Sequence, residues 1–267
     1  IARLAVLQNA DGSFSWWKGM QGSPYMTMNV IQTIARLNNI VGEQKYTSNI
    51  TNVAFAYMDK QMAREVKNMK KLEREGKTKN LRPSELAVQY LYASTIAKRK
   101  MTSTVKQNFD YLVTYLAKQN TEPSIYAKAV AAVVLAKNKH TKEANNLLES
   151  IRQYTVYKEE MGRYFDTPKA HYSWFDYRIP SQVAAIEALK TLAPSDTKTI
   201  GEMQRWLLQS KRTQAWDTPI NSVNAVYAFL EGNTSTLTEN ATQPTVLKLN
   251  GQKLTTPKLT AGLGYVK

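Results

Sequence analysis

Five segments that begin with proline and continue into small and apolar residues constrain the fold of this chain most strongly. They start at Pro24, Pro83, Pro123, Pro180 and Pro219, and successive prolines are separated by 59, 40, 57 and 39 residues. Proline is tolerated in the first turn of a helix, because the N–H that it lacks is not needed there. The alternating spacings are close to the size of a helix-hairpin repeat and predict an all-α helical repeat.

The proline-initiated segments are rich in alanine and poor in charge, which favours burial on most sides. Ser84, Ser124 and Ser181 directly follow three of the prolines and are predicted to be helix N-caps. Small side chains also permit close approach of neighbouring helices. We therefore expect an inner layer in which these alanines are buried: Ala129, Ala132, Ala184, Ala188, Ala225 and Ala228.

Helices of a second kind lie between these segments, with an apolar stripe at spacings of three and four residues and a polar back. Their stripes are Val105, Phe109, Leu112, Val113 and Leu116; Ile50, Val53, Tyr57, Val66 and Met69; Ala144, Leu147, Leu148 and Ile151; and Ile200, Met203, Trp206 and Leu207. Such helices suit an outer layer that faces solvent. Two alternating kinds of helix predict a two-layer arrangement, either an open solenoid or a closed α/α ring.

The sequence changes character after residue 232. Residues 233–243 are polar and are interpreted as a linker, and residues 244–267 as the start of a β domain. Asn250-Gly251 between two short apolar runs predicts a β-hairpin, and residues 154–179, rich in Tyr and Phe, are a second hairpin candidate. The chain opens at Ile1 without a methionine, so we expect it to be part of a longer protein.

Composition excludes several classes of site. The chain has no Cys and only two His, which excludes a disulfide and disfavours a multi-histidine metal site. No stretch approaches the roughly 20 apolar residues that span a bilayer. A formal charge of +15 favours acidic partners, although a solvated basic surface explains it equally. The basic residues do not alternate with aromatics as in a single-strand binding groove, so nucleic acid is not an expected partner.

Two groups of residues are candidate interaction sites. The possible groove aromatics are Phe14, Trp16, Trp17, Trp174 and Trp216, which either line a ligand groove or pack the loops that precede the inner helices. The possible basic interaction face is Lys67, Lys70, Lys71 and Arg74, at helical spacing on one outer helix. A solvated helix end explains this face without a partner, and an acidic neighbouring domain of the same protein is the functional alternative.

Residues for catalysis are present, but no convergent set can be identified. The cluster of His171, Tyr172, Tyr177 and Arg178 has the residue types of a proton-abstracting polysaccharide lyase. A glycosidase needs two facing carboxylates, for which several acids offer no evident pairing: Glu159, Glu160, Asp166, Asp176 and Asp217. We therefore predict a protein that is not an enzyme, with no catalytic residue, cofactor or metal.

One stretch resembles the thioester-domain region of the α2-macroglobulin and complement family, and its bacterial members most. Residues 7–17 read Leu-Gln-Asn-Ala-Asp-Gly-Ser-Phe-Ser-Trp-Trp, and residues 25–31 read Tyr-Met-Thr-Met-Asn-Val-Ile. In that family a helix ends in a Gln-containing stretch, followed by Asp-Gly, aromatics, and an inner helix entered through an aromatic and a Thr. Residues 126–136 with 142–148 resemble the central helical hairpin of the family, and 206–209 with 216–230 its last one.

The resemblance implies an α/α toroid over residues 1–232 that lacks its first inner helix, so that the ring is incomplete. Ala2, Val6 and Leu7 would then be partly uncovered, as would the helix at 219–230. It further implies protease trapping in the periplasm or at the cell surface. Partners would be proteases and other domains of the same protein, and a membrane would be reached only through that protein.

Family members often carry a Cys-x-Glu-Gln thioester, which this sequence lacks. The alternative function is an α/α-toroid carbohydrate-active enzyme, a polysaccharide lyase or a glycosidase.

Overall fold

The protein is mostly helical, in agreement with the all-α prediction. A computed structural model describes residues 2–77, 79, 81–118, 124–167, 178–213, 218–231, 247–249 and 252–254. The helices in these ranges are α1 Ala2–Val6, α2 Pro24–Val41, α3 Lys45–Arg74, α4 Glu85–Ile96, α5 Ser103–Ala117, α6 Ile125–Lys137, α7 Thr141–Arg152, α8 Arg178–Leu192, α9 Thr197–Thr213 and α10 Pro219–Leu230. The strands are β1 Thr155–Lys158, β2 Gly162–Phe165, β3 Leu247–Leu249 and β4 Gln252–Leu254.

The helices α2, α4, α6, α8 and α10 correspond to the proline-initiated segments, and we call them the inner helices. All six alanines predicted to be buried in them are buried: Ala129, Ala132, Ala184, Ala188, Ala225 and Ala228. In α6 an unbroken run from residue 128 to residue 135 is buried. This burial confirms that low charge and small side chains indicated an inner layer.

The inner helices pack against one another in sequence order. Helix α2 contacts α4, α4 contacts α6, α6 contacts α8, and α8 contacts α10. Helix α10 also contacts α2. The outer helices pack against this layer: α3 contacts α2, α5 contacts α4 and α6, α7 contacts α6 and α8, and α9 contacts α8 and α10.

The outer helices α3, α5, α7 and α9 bury one stripe each, as their 3–4 periodicity predicts. The stripe of α9 is buried at all four predicted positions, Ile200, Met203, Trp206 and Leu207. In α3 the prediction was wrong for Val53, which is exposed although the other predicted stripe residues of this helix are buried. The buried residues of α3 centre on Thr51, Ala54, Phe55 and Met58, and Val53 lies outside this face.

Two of the three predicted serine N-caps are confirmed. The hydroxyls of Ser84 and Ser124 accept hydrogen bonds from the backbone N–H groups three residues later, at the starts of α4 and α6. The prediction for Ser181 was wrong, because α8 begins at Arg178 and Ser181 lies buried inside it. Pro180 therefore occupies the first turn of α8, where a proline breaks no hydrogen bond, rather than its first position.

The chain divides into two compact units, residues 1–232 and residues 233–267. In the first unit β1 and β2 form an antiparallel hairpin, which shortens the candidate hairpin at 154–179 to residues 155–165. In the second unit β3 pairs with β4 antiparallel, as the sequence predicts. The Asn250-Gly251 turn between these two strands lies outside the described residues.

The edge that the sequence predicts to be uncovered is exposed. Val6 and Leu7 are exposed at the end of α1. Helix α10 buries its alanines but exposes an apolar stripe of three residues, Ile220, Val223 and Val226. Helix α10 is therefore covered on fewer sides than α6 or α8, whose apolar residues are nearly all buried.

Candidate functional site

The loop between α1 and α2 carries the Asp-Gly-aromatic motif, and it is tied closely to α3. Gly12 has a φ of 90°, and a Cβ on it would collide with the backbone oxygen of Val53. Gln8 Nε2 donates to the backbone oxygens of Gly12 and Ile50, both at 3.0 Å. A glycine is therefore required at position 12 by both the backbone conformation and the close approach of α3.

The same loop is joined to the start of α2. The Asp11 carboxylate accepts hydrogen bonds from the Ser13 hydroxyl and backbone N–H, which lower the pKa of Asp11. The Phe14 N–H donates to the hydroxyl of Thr27 at 2.9 Å, and both residues are buried. Thr27 therefore anchors the loop to the first turn of α2.

The possible groove aromatics are not brought together as one surface in the described ranges. Phe14 lies in the core at 3% exposure, which is the packing role that the sequence left open. Trp16 and Trp17 are exposed at 55% and 70%, and the Trp16 ring stacks on Tyr25 with centroids 6.0 Å apart. Trp174 and Trp216 lie outside the described residues.

A group of polar side chains inside the inner layer was not foreseen from the sequence, and we call it the inner polar network. Its centre is Arg36 of α2, whose Nη1 donates to Asn224 Oδ1 at 2.6 Å and whose Nη2 donates to the Tyr92 hydroxyl at 2.9 Å. The Tyr92 hydroxyl donates to Glu187 Oε2 at 2.5 Å, and Arg36 Nη2 lies 3.7 Å from the same oxygen. The Tyr227 ring centre lies 5.1 Å from the guanidinium carbon of Arg36.

The network continues in two directions. On one side Gln32 donates to Gln89 Oε1, and Gln89 Nε2 donates to the hydroxyl of Tyr126 on α6 at 3.1 Å. On the other side Lys190 Nζ donates to the backbone oxygens of Ala228 and Glu231, at 2.8 and 2.7 Å. Side chains from all five inner helices thus belong to this network.

Burial controls the ionisation of the network. Desolvation raises the pKa of Glu187 to about 7, although the positive charge of Arg36 opposes the shift. Desolvation also raises the pKa of Glu231, whose Oε2 is buried without a hydrogen bond from the described residues. The pKa of Tyr92 is raised well above its ordinary value by the same cause, and that of Lys190 is lowered. These groups are therefore held in positions where water does not stabilise their charges.

The geometry of the network suits cohesion of the inner helices better than turnover of a substrate. Arg36 and Glu187 are 7% and 3% exposed, so their reactive atoms are enclosed by the helices that carry them. One signal in the sequence could have found them: each is a charged residue directly beside an alanine in a segment that is otherwise poor in charge. A charge on a buried helix requires a partner, and this requirement points to a paired network.

The possible basic interaction face lies at the end of α3 and borders a groove between α3 and α5. The groove has a volume of about 570 Å³, and we call it the basic groove. Its lining residues are Ala63, Val66, Lys67, Lys70, Glu73, Arg74 and Asn108. Three of the four predicted residues thus share one concave surface, whereas Lys71 lies outside the lining and within 3.9 Å of Glu75.

The candidate acid–base residues remain separate or outside the described ranges. His171, Tyr172 and Tyr177 of the lyase-type cluster, and Asp176 and Asp217, lie outside these ranges. The remaining candidate carboxylates, Glu159, Glu160 and Asp166, are exposed. Within the described ranges no His, Asp and Glu side chains group as a metal site, and no helix has the length and apolar character to cross a membrane.

No family model matches the chain, and no curated protein sequence matches it.

Proposed function

We propose that residues 1–232 form an α/α toroid that serves as the helical thioester-type domain of a bacterial α2-macroglobulin-like envelope protein. In this proposal the domain takes part in protease trapping and catalyses no reaction itself. The observation that carries the proposal is the packing order of the inner helices. Each contacts the next along the chain, and α10 contacts α2, which is the order expected of a toroid.

The loop between α1 and α2 supports the resemblance on which the proposal rests. The matching residues have structural reasons for their identity: Gln8 joins the loop to α3, Gly12 permits its close approach, and Thr27 anchors Phe14. These three contacts fix the entry into the first inner helix. A location in the periplasm or at the cell surface, and proteases as partners, follow from the same resemblance.

The inner polar network supports a role without catalysis. Its central pair, Arg36 and Glu187, is satisfied by side chains of neighbouring inner helices and is enclosed by them. A substrate would reach them only after the helices separate. Such a network instead holds the inner helices in one register, as expected of a domain with a structural role.

Protease trapping can be tested on the protein in the form in which its cell makes it, isolated with an antibody against residues 124–152. After incubation with trypsin, we expect the protease to be retained and to cleave a small chromogenic peptide at close to its free rate. Cleavage of casein should fall steeply, because a trap excludes large substrates by size. Serum albumin in place of the isolated protein is the control, and equal cleavage of both substrates would contradict the proposal.

The absence of catalysis is tested separately with the chain of residues 1–267. We expect no new chain ends when it is incubated with anionic polysaccharides such as alginate, pectate or hyaluronan. Turnover that disappears in a His171→Ala, Tyr172→Phe variant would instead identify a polysaccharide lyase and overturn the proposal.

A further inference from the structure

The basic groove combines a concave surface with an uneven distribution of charge. Helix α3 has 30 residues and α5 has 15, and the groove lies between them near the C-terminal end of α3. Its lining includes two apolar residues, of which Ala63 is exposed and Val66 is buried at 2% exposure. It also includes three exposed cations, Lys67, Lys70 and Arg74, which we call its rim. A volume of about 570 Å³ is within the range of pockets that hold a ligand of a few residues.

The acidic residues of this part of α3 do not neutralise the rim. Glu65 accepts hydrogen bonds from the backbone N–H and the hydroxyl of Ser84, both at 2.7 Å. Glu75, directly after α3, is 2.9 Å from Lys77 and 3.9 Å from Lys71. Neither carboxylate is therefore directed to the groove cations.

Glu73 is the acidic residue that lines the groove, and two tyrosines engage it. Tyr115 and Tyr111 donate hydrogen bonds to its two carboxylate oxygens, at 2.5 and 3.0 Å. These hydrogen bonds lower the pKa of Glu73. In the described part of the chain, no carboxylate comes within ion-pair distance of Lys67, Lys70 or Arg74. The three rim cations thus have no ion-pair partner on α3 or α5, although Lys70 contacts the Tyr111 ring and Arg74 donates a hydrogen bond to the Lys70 backbone oxygen.

The shape of the rim suits an extended peptide. Lys67 and Arg74 are seven residues apart on α3, which corresponds to about 10 Å along the helix. Carboxylates at alternate positions of an extended chain are about 7 Å apart, so two or three of them fit along the rim. The side chains that point the other way from such a chain would meet the exposed Ala63 if they are apolar.

Nucleic acids and anionic polysaccharides fit this groove less well. Lys70 lies 5.1 Å from the centre of the Tyr111 ring and Lys118 lies 5.4 Å from that of Tyr115. The tyrosine faces that could stack on a base are thus occupied by lysines. A polysaccharide has no aliphatic side chain to place against the exposed Ala63. We infer that the basic groove is a docking site for an extended acidic peptide segment in which acidic and apolar residues alternate.

The test uses the full chain and a fluorescein-labelled hexapeptide of alternating glutamate and valine, measured by fluorescence anisotropy at low salt. The variant Lys67→Gln, Lys70→Gln, Arg74→Gln removes the rim cations, and the matched control Lys45→Gln, Lys142→Gln, Lys198→Gln removes three exposed cations elsewhere. We expect the rim variant to bind about tenfold more weakly, since three exposed ion pairs are lost. The control variant should change the affinity less than twofold.

A variant that keeps the charge separates docking in the groove from general attraction to a basic protein. Ala63→Trp fills the groove from an exposed helix position and should weaken binding at least fivefold. Thermal melts by circular dichroism establish that each variant remains folded. A peptide of alternating glutamine and valine should not bind measurably.

Four results would overturn the inference. The first is that the glutamate peptide does not bind. The second is that the rim and control variants weaken peptide binding equally, and the third is that Ala63→Trp binds the peptide with wild-type affinity. The fourth is tighter binding of a heparin oligosaccharide or a single-stranded DNA of equal charge than of the peptide. None of these outcomes bears on the proposed role in protease trapping, because peptide docking in the groove does not depend on that role.

Discussion

The inner polar network and the basic groove contain the same kinds of side chain, but the pKa of the glutamate shifts in opposite directions in the two regions. In each, a glutamate accepts a hydrogen bond from tyrosine and lies near basic side chains: Glu187 with Tyr92 and Arg36, and Glu73 with Tyr111 and Tyr115. Burial raises the pKa of Glu187, whereas hydrogen bonds lower that of Glu73. Desolvation therefore outweighs the tyrosine hydrogen bond at Glu187, whereas at the exposed Glu73 the tyrosine hydrogen bonds decide the direction of the shift.

The two regions also differ in what their cations can bind. Arg36, the central cation of the inner polar network, is engaged by neighbouring helices and is buried. The cations of the basic groove are exposed and have no carboxylate partner within the described residues. Identical residue types can thus join helices to one another in one region and present a surface to a partner in another.

The largest effect is expected from removing the central cation. Arg36→Met leaves the Glu187 carboxylate buried without its positive neighbour and removes the partner of Asn224. At pH 8, where Glu187 is ionised, we expect the free energy of unfolding to fall by about 3–5 kcal/mol. Urea denaturation at pH 8 measures this free energy of unfolding.

The matched control for this change is Lys106→Met, which breaks the exposed ion pair with Asp110. It should leave the midpoint of denaturation unchanged within error. A double variant, Arg36→Met with Glu187→Met, should recover much of the loss, since it removes both members of the buried pair. Equal effects of the two single variants would remove the contrast between buried and exposed charge.

The next effect is a pH dependence that arises from Glu187. Its pKa in the folded protein, about 7, lies above the ordinary value of 4.5, so the folded state holds this proton more tightly than the unfolded state. The resulting stabilisation is present at pH 4.5 and below and is lost as the pH rises to about 7. Relative to Glu187→Gln, we expect the free energy of unfolding of the wild type to fall by up to about 3 kcal/mol across this window. A constant difference between the two proteins from pH 4.5 to pH 8 would contradict the raised pKa.

A smaller effect is expected from deleting single tyrosine hydroxyls in the two regions. Tyr92→Phe removes hydrogen bonds to both Arg36 and Glu187 in a buried setting and should cost about 1–3 kcal/mol. Tyr115→Phe removes a hydrogen bond that water can replace, and its effect on stability should be close to zero. Thermal melts of the two variants, side by side, compare these costs, and similar losses would show that burial is not the deciding factor.

The smallest effect is the titration of Glu73 itself. Its lowered pKa means that its stabilising contribution is present above the ordinary value of 4.5 and is lost as the pH falls, which is the opposite sign to Glu187. Carbon-13 NMR of the carboxylate should give a midpoint below 4.5 in the wild type. The midpoint should move toward 4.5 in Tyr111→Phe, Tyr115→Phe, and an unmoved midpoint would mean that the tyrosines do not cause the shift.

The inner layer could be predicted from the sequence because its signal is local. Alanines at positions such as 129, 184 and 225 lie in segments with few charges, and such segments are buried in nearly every fold that contains them. The stripe of α9 is local in the same way. Val53 is an exception because the buried face of α3 is centred elsewhere on the helix. Ser181 is an exception because α8 begins before Pro180.

The inner polar network could not be predicted, because its contacts join residues that are far apart in the chain. Arg36 and Asn224 are separated by 188 residues, and Tyr92 and Glu187 by 95. A single sequence shows that a charge stands in an apolar segment but not which distant side chain pairs with it. The basic face was visible at helical spacing, whereas the groove beside it depends on how α5 packs against α3.

The contact between Arg36 and Asn224 has a consequence for the route by which the protein folds. Each inner helix finds its next neighbour some 40 to 60 residues away, but α2 and α10 meet only after nearly the whole first unit is ordered. Joining residues so far apart carries a large loop-closure entropy unless the intervening helices have already packed. We therefore expect the junction of α2 and α10 to form late, and Asn224→Ala to accelerate unfolding while leaving the refolding rate nearly unchanged.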